Sequence, residues 1–186
     1  MNKAIFLDRD GVINEDPGYV SKIQDYRFMP RVFEALRMAQ SSGYKLVIVT
    51  NQAGIGKRVY SEDDYHMLTS WIKQRFQENN IEISQIYHCP HHPEAVIEKF
   101  KQKCGCRKPN PGMLLLAAQE HDLDLSNSYM IGDRTSDVLA GKRAGCKTIL
   151  VKTGYGGSDQ EHQVNPDHVV EDLYEAVGLI LNNNSG

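Results

Sequence analysis

Long apolar runs are missing from this 186-residue sequence: none approaches the roughly 20 residues that a membrane span needs. The first apolar run, residues 4–7, ends at once in Asp8-Arg9-Asp10, too short for the core of a secretion signal. An excess of one charge is missing too. Lys plus Arg number 21 against 24 Asp plus Glu, a formal net charge of −3, so neither nucleic acid nor a membrane is an expected partner. Repeats and low-complexity segments are absent apart from an Asn-rich end at 182–184, expected to fray. Cysteine is sparse. Of four, Cys89, Cys104 and Cys106 sit close together, and an odd cluster cannot pair off into disulfides. Without a secretory signal, thiol or metal chemistry is the better expectation, and Cys146 reads as a core thiol. At 40% hydrophobic residues, the chain suits one globular core, so a single domain over 1–186 is expected, cytoplasmic and monomeric.

What is present is alternation. Short apolar β-rich runs at 4–7, 45–49, 83–87, 129–131 and 148–151, with a weaker one at 168–170, are separated by segments of helical period at 31–40, 61–78, 111–121, 136–144 and 172–181. Runs apolar on both faces predict buried parallel strands. The helix at 61–78 carries Tyr65, Leu68, Trp71, Ile72 and Phe76 on one face and a capping-box-like start in Ser61 and Asp64. Strand-helix alternation predicts an α/β fold: a Rossmann-like, doubly wound, mostly parallel sheet with helices on both faces and its ligand site at the carboxyl ends of the strands. The connections between motifs are too short for a large cap domain.

The strand ends are polar in a telling way. The first run leads into Asp8-Arg9-Asp10-Gly11, the second into Thr50-Asn51-Gln52 and the fourth into Gly132-Asp133-Arg134. Asp8 and Asp10 are two apart, so both side chains point the same way if the strand persists. One carboxylate then suits cation binding or nucleophilic attack, and its neighbour suits proton transfer. The same four residues also suit an ordinary surface turn. Asp133 has Asp137 one helical turn on, and carboxylates from two strand ends suit Mg²⁺; helix capping explains that pair as well. Lys108 precedes Pro109-Asn110-Pro111-Gly112, where a helix can start with its positive end toward an anion.

Taken in order, Asp8-Arg9-Asp10-Gly11, Thr50-Asn51-Gln52, Lys108-Pro109 and Gly132-Asp133 with Asp137 resemble the four motifs of the haloacid dehalogenase-like phosphatases across most of the chain. The resemblance implies a phosphoric monoester hydrolase in which Asp8 forms an aspartyl-phosphate and Asp10 protonates the leaving alcohol and then activates water. It also implies that Thr50 and Lys108 hold the phosphoryl group, and that Mg²⁺ sits between Asp8, Asp133 and the backbone carbonyl of Asp10, with Asp137 behind them. Segment 89–106, which fits no layer, supplies Cys89, Cys104, Cys106 and a histidine, the inventory of a closed tetrahedral zinc site. Buried free cysteines or a redox pair at Cys104 and Cys106 are the alternatives. His91 and His92 are both available; the resemblance favours His91. Zinc there would order the loop that presents Arg107 and Lys108.

Within the family, the loop spellings and the long spacer between His91 and Cys104 look closest to members acting on a phosphorylated sugar. They imply as substrate the 7-phosphate of D-glycero-D-manno-heptose 1,7-bisphosphate, with histidinol phosphate as the alternative. Asp16, Gly18, Tyr19, Asn51, Gln52, Arg107 and Arg134 would then line the substrate pocket; lysine is frequent in the family at the position of Arg134. A phospho-receiver would be expected to carry its aspartate on a later strand, and a zinc-binding interaction module leaves the phosphatase motifs unexplained. Gly54-Ile55-Gly56-Lys57-Arg58 lacks the leading Gly and the following Ser or Thr of a P-loop, which argues against a kinase or GTPase.

Overall fold

A computed structural model describes residues 1–183. Its elements run β1 (Ala4–Leu7), α1 (Val32–Ser41), β2 (Lys45–Asn51), α2 (Ala53–Gly56), α3 (Glu62–Glu78), β3 (Ile83–Cys89), α4 (Gly112–His121), β4 (Tyr129–Gly132), α5 (Thr135–Ala144), β5 (Lys147–Val151), β6 (His168–Val170) and α6 (Leu173–Asn183). The strands form one six-stranded sheet of order β3-β2-β1-β4-β5-β6, every neighbouring pair parallel.

Alternation along each strand sorts the apolar residues between two cores. Ile5, Leu7, Leu46, Ile48, Tyr129 and Ile131 face Ala35 and Leu36 of α1, Leu68, Ile72 and Phe76 of α3, and Val177 and Ile180 of α6. Phe6, Val47, Val49 and Met130 face the other way, onto Met113, Leu114 and Ala117 of α4 and Ala140 of α5. Fully burying one such large side chain is worth about 1.5–3 kcal/mol, so β1, with all four residues at 0% exposure, is anchored from both sides. At the start of α3, Ser61 Oγ accepts from Asp64 N while Ser61 N donates to the Asp64 carboxylate.

Expected and observed elements differ mainly at their ends. Thr50 and Asn51 extend β2 because their backbone keeps pairing with His88 and Cys89 of β3, although neither looks like a core residue. The four-residue α2 was not expected; it is too short to show a period. Of the Asn-rich end, Asn182 and Asn183 close α6, and Asn184 lies outside the described residues. Between β1 and β2 the chain forms a 3₁₀ turn at Ile23–Asp25 and α1, and no second sheet is present among the described residues. No helix among them is long and apolar enough to cross a membrane.

The strand order reverses between β1 and β4: β1 leads to β2 on one side, and β4 leads to β5 on the other. A crevice opens at such a switch point, outside the carboxyl ends of the strands. Asp8, Asn51 and Asp133 directly follow or end the three strands that border it.

Candidate active site

The crevice buries charge. Asp8, Arg9, Lys108, Asp133 and Asp137 are each at most 7% exposed, a degree of burial that charged residues tolerate only when paired or bound to metal. Asp8 extends β1 by one bond, its N–H donating to Ile131 O at 3.0 Å. The Lys108 ammonium donates to Asp8 Oδ1 at 2.9 Å and to Val49 O at 2.7 Å, and pairs with Asp137 Oδ1 at 2.7 Å. Two hydrogen bonds and an ion pair thus hold the ammonium. Asn51 grips the backbone of Lys108 from both sides: Nδ2 donates to Lys108 O at 3.0 Å, and Oδ1 accepts from Lys108 N at 3.1 Å. The end of β2 therefore fixes a residue 57 positions further along the chain. Asp137 is held in turn by Arg134 N, which donates to its Oδ2 at 3.0 Å.

Asp133 is fully buried under the loop that follows β5. Tyr155 N donates to its Oδ2 at 2.8 Å, and Gly157 N donates to its backbone carbonyl at 2.7 Å. The chain passes so close that a Cβ on Gly154 would stand 2.1 Å from Asp133 Oδ2, and one on Gly11 would stand 2.3 Å from it. Both glycines have positive φ, +61° and +86°, which few other residues adopt.

Carboxylate oxygens of Asp8, Asp133 and Asp137 lie within 4.8 Å of one another, with the Lys108 ammonium paired to Asp8 and Asp137. Burial, and then the neighbouring Asp137 charge, push the Asp8 carboxyl up to about 7 against the pull of Lys108. Burial, Asp8 and Asp137 push Asp133 up to about 8. Asp133 Oδ1 is buried without a partner. An excess of buried anionic oxygen around an orphaned acceptor fits a hard divalent cation such as Mg²⁺.

β1 ends at Leu7 and Arg9 lies in a bend, so the strand pleating that would align Asp8 with Asp10 does not persist as far as Asp10. Asp8 joins the Lys108 cluster, whereas Asp10 is held by Arg9, Asn14 and Gln52. Both still line one cleft. Arg9 was not singled out by the sequence reading, since a charged residue in an Asp-Arg-Asp turn looks solvent-facing. In fact it is 2% exposed, and its Nε and Nη2 donate to Asp10 at 2.9–3.1 Å.

The cleft has a volume of about 740 Å³. Asp16, Gly18, Tyr19, Arg107 and Arg134 line it, as do Asn51 and Gln52. The Arg134 guanidinium lies 3.7 Å from the centre of the Tyr155 ring and 3.7 Å from the Asp16 carboxylate, held between the two. Thr50, 1% exposed, accepts from Gln52 Nε2 at 2.8 Å. Lys57, Tyr155, Glu161 and His162 also border the cleft, the last three from the β5–β6 loop, and carry no motif that sequence reading would detect.

Beside this cleft, Cys89, His91, Cys104 and Cys106 converge. Their sulfur atoms are 3.1–3.4 Å apart, and His91 Nδ1 lies 3.6 Å from Cys89 Sγ and 3.4 Å from Cys106 Sγ. Those separations are far longer than the roughly 2.05 Å of a disulfide and match four ligands of a closed zinc site. His92 instead faces the cleft. Hydrogen bonds from Cys89, and then from Cys104 and His91, pull Cys106 down to about 5 against burial, while Cys89 is pushed up. Thiolate character within the set is what zinc requires. The cluster reaches the cleft through the backbone: Arg107 N donates to Cys104 Sγ at 3.3 Å and Asn110 Nδ2 to Cys104 O at 2.7 Å, bracketing Lys108.

Comparison with known proteins gives the same picture. Residues 105–176 match the family model described as HAD-hydrolase-like. The D-glycero-beta-D-manno-heptose-1,7-bisphosphate 7-phosphatase of Pasteurella multocida is 45% identical over 182 residues, 97% of each chain. The D-glycero-alpha-D-manno-heptose-1,7-bisphosphate 7-phosphatase of Burkholderia mallei is 48% identical over 150 residues, 81% of this chain and 79% of that one. Among solved structures, the D,D-heptose 1,7-bisphosphate phosphatase of B. bronchiseptica, complexed with magnesium and phosphate, superposes with a TM-score of 0.86 at 29% identity over 97% of this chain and 99% of that one.

Proposed function

Because this chain belongs to the haloacid dehalogenase-like phosphatases, in the branch of the heptose-bisphosphate 7-phosphatases, we propose that it hydrolyses the 7-phosphate of D-glycero-D-manno-heptose 1,7-bisphosphate through an aspartyl-phosphate on Asp8. The observation that carries this reading is the Asp8–Lys108–Asp137 cluster beside the unpartnered Asp133 oxygen at the sheet's switch point.

In the reaction, an Asp8 carboxylate oxygen attacks phosphorus and the ester oxygen departs with its electron pair, taking a proton from the Asp10 carboxyl. Asp10, now a carboxylate, takes a proton from water as that water attacks phosphorus, and Asp8 is released. Splitting the displacement in two lowers each barrier. In this reading Lys108 and the Thr50 hydroxyl stabilise the charge that spreads over the equatorial phosphoryl oxygens in the transition state. Asn51, whose amide is committed to the Lys108 backbone, serves by fixing that lysine. Mg²⁺, held by Asp8, Asp133 and the Asp10 backbone carbonyl, supplies neutralisation of the carboxylates and of the incoming phosphate. Asp137 anchors Lys108. Cys89, His91, Cys104 and Cys106 would hold zinc, which would order the loop that carries Arg107 and Lys108. Arg107 and Arg134 are suited to the sugar and its second phosphate, with Asp16, Gly18 and Tyr19 forming the facing wall.

The test is a screen with Mg²⁺ of both heptose 1,7-bisphosphate anomers and histidinol phosphate, with product analysis by phosphorus NMR. The reading expects a heptose bisphosphate to be hydrolysed at least about tenfold more efficiently, with the anomeric phosphate retained. Preferential hydrolysis of histidinol phosphate, or release of the anomeric phosphate, overturns it.

A further inference from the structure

Gln52 lines the cleft, but its amide hydrogen bonds all go to other side chains of the protein. It is 2% exposed; Oε1 accepts from the Tyr60 hydroxyl, and Nε2 donates to Asp10 Oδ2 at 3.0 Å and to Thr50 Oγ1 at 2.8 Å. Both amide protons are therefore committed inside the protein. The direction of the amide is set by Tyr60, whose phenol burial pushes well above its ordinary range, so that it donates at neutral pH and the Gln52 NH₂ must face Asp10. On the other side of Asp10, Arg9 donates from Nε and Nη2, with Nη2 also tied to Val20 O at 3.0 Å, and Asn14 Nδ2 donates to Oδ1 at 2.9 Å. A side chain gripped this way loses its rotamer freedom before substrate arrives.

We propose that Gln52 and Arg9 are positioning residues for proton transfer: they hold the Asp10 carboxyl facing the departing ester oxygen, and Gln52 acts on the reaction through Asp10 rather than through the substrate. The inference rests on the reading of Asp10 as the proton donor of the first step. In that step the phosphorus–ester oxygen bond breaks, its electron pair stays on oxygen, and that oxygen takes the Asp10 proton. A well-placed general acid is worth about 10²–10⁴ in rate, and its benefit grows with the basicity of the departing oxygen. Misplacement should thus penalise basic leaving groups selectively, whereas loss of a substrate contact should penalise all leaving groups of one shape alike.

The experiment measures kcat/KM, which reports the steps up to departure of the alcohol, for substituted phenyl phosphates of similar shape and graded leaving-group basicity. Wild type, Asp10→Asn, Gln52→Met, Tyr60→Phe and Arg9→Lys are compared. Gln52→Met is expected to lose about 10- to 100-fold with the most basic phenol and less than about twofold with p-nitrophenol. Tyr60→Phe, which keeps the ring and drops only the bond that orients the amide, and Arg9→Lys, which keeps the charge and drops the fork, should steepen the dependence in the same sense, and Tyr60→Phe carries the test if Gln52→Met or Arg9→Lys does not fold. Equal losses across the series in folded Gln52→Met or Tyr60→Phe, or an unchanged slope while Asp10→Asn steepens it, overturn the inference. An unchanged slope in Asp10→Asn overturns the reading of Asp10 itself.

Discussion

Gly154 offers a way to move one carboxylate of the site without touching a charged residue. Its φ of +61° costs any other L residue about 1–2 kcal/mol. A Cβ there would lie 2.1 Å from Asp133 Oδ2 and 2.8 Å from Gly11 Cα, so Asp133 must give way. In doing so it loses the 2.8 Å bond from Tyr155 N, a bond to a charged acceptor worth about 1.5–3 kcal/mol. Gly154→Ala should therefore cost about 3–5 kcal/mol and, at about 2–4 °C per kcal/mol for a chain of this size, lower Tm by about 6–20 °C. Gly145 is the matched control: its φ is +86°, and a Cβ there meets nothing within 4 Å. Gly145→Ala should show the backbone cost alone, about 1–2 kcal/mol, with turnover unchanged. Thermal melts, turnover and the Mg²⁺ concentration for half-maximal activity are measured well below both melting temperatures. Displacing Asp133 by an ångström should cost about 100-fold in rate and raise the Mg²⁺ requirement. If Gly154→Ala matches Gly145→Ala in both rate and Mg²⁺ requirement, Asp133 does not hold the metal in the way argued above.

Asp8→Asn should abolish turnover while leaving the melting profile cooperative; activity within about tenfold of wild type excludes a covalent role for Asp8. In protein freed of Mg²⁺, Asp8 and Asp133 are pushed up to about 7 and about 8, above the roughly 3.9 of an unfolded aspartate, so the native state binds the extra protons. The stability these two groups contribute should then be fully present below about pH 4 and be lost as pH rises through about 8, and added Mg²⁺ should flatten the fall. A level Tm across that range without Mg²⁺ refutes the burial argument. Metal analysis should find about one zinc per chain. Cys104→Ser should lose zinc and most activity together, and full activity in zinc-free protein would remove the loop-ordering role.

The fold was legible because a strand buried on both faces leaves a short continuous apolar run in the sequence, as β1, β2, β4 and β5 do; the helices of α1 and α3 to α6 add their period. The motif carboxylates were legible because strand ends at a switch point are where polar residues have work to do. What escaped has a common cause. Arg9 and Gln52 act on Asp10 from one and 42 positions away, through hydrogen bonds that neither helical nor strand periodicity encodes. Gly154 and Tyr155 reach Asp133 from the far side of β5, and only the φ values and the closeness of approach show why glycine stands there. The alignment of Asp8 with Asp10 was conditional on the strand persisting, and that condition is not met, since β1 ends at Leu7 and Arg9 lies in a bend. This is informative about mechanism. Two carboxylates aligned on one strand face would share one environment and compete for one charge state. Here one sits against Lys108 and the acidic cluster, and the other against Arg9 and Gln52. Distinct surroundings are what allow a nucleophile and a proton carrier to keep different roles at one phosphorus atom.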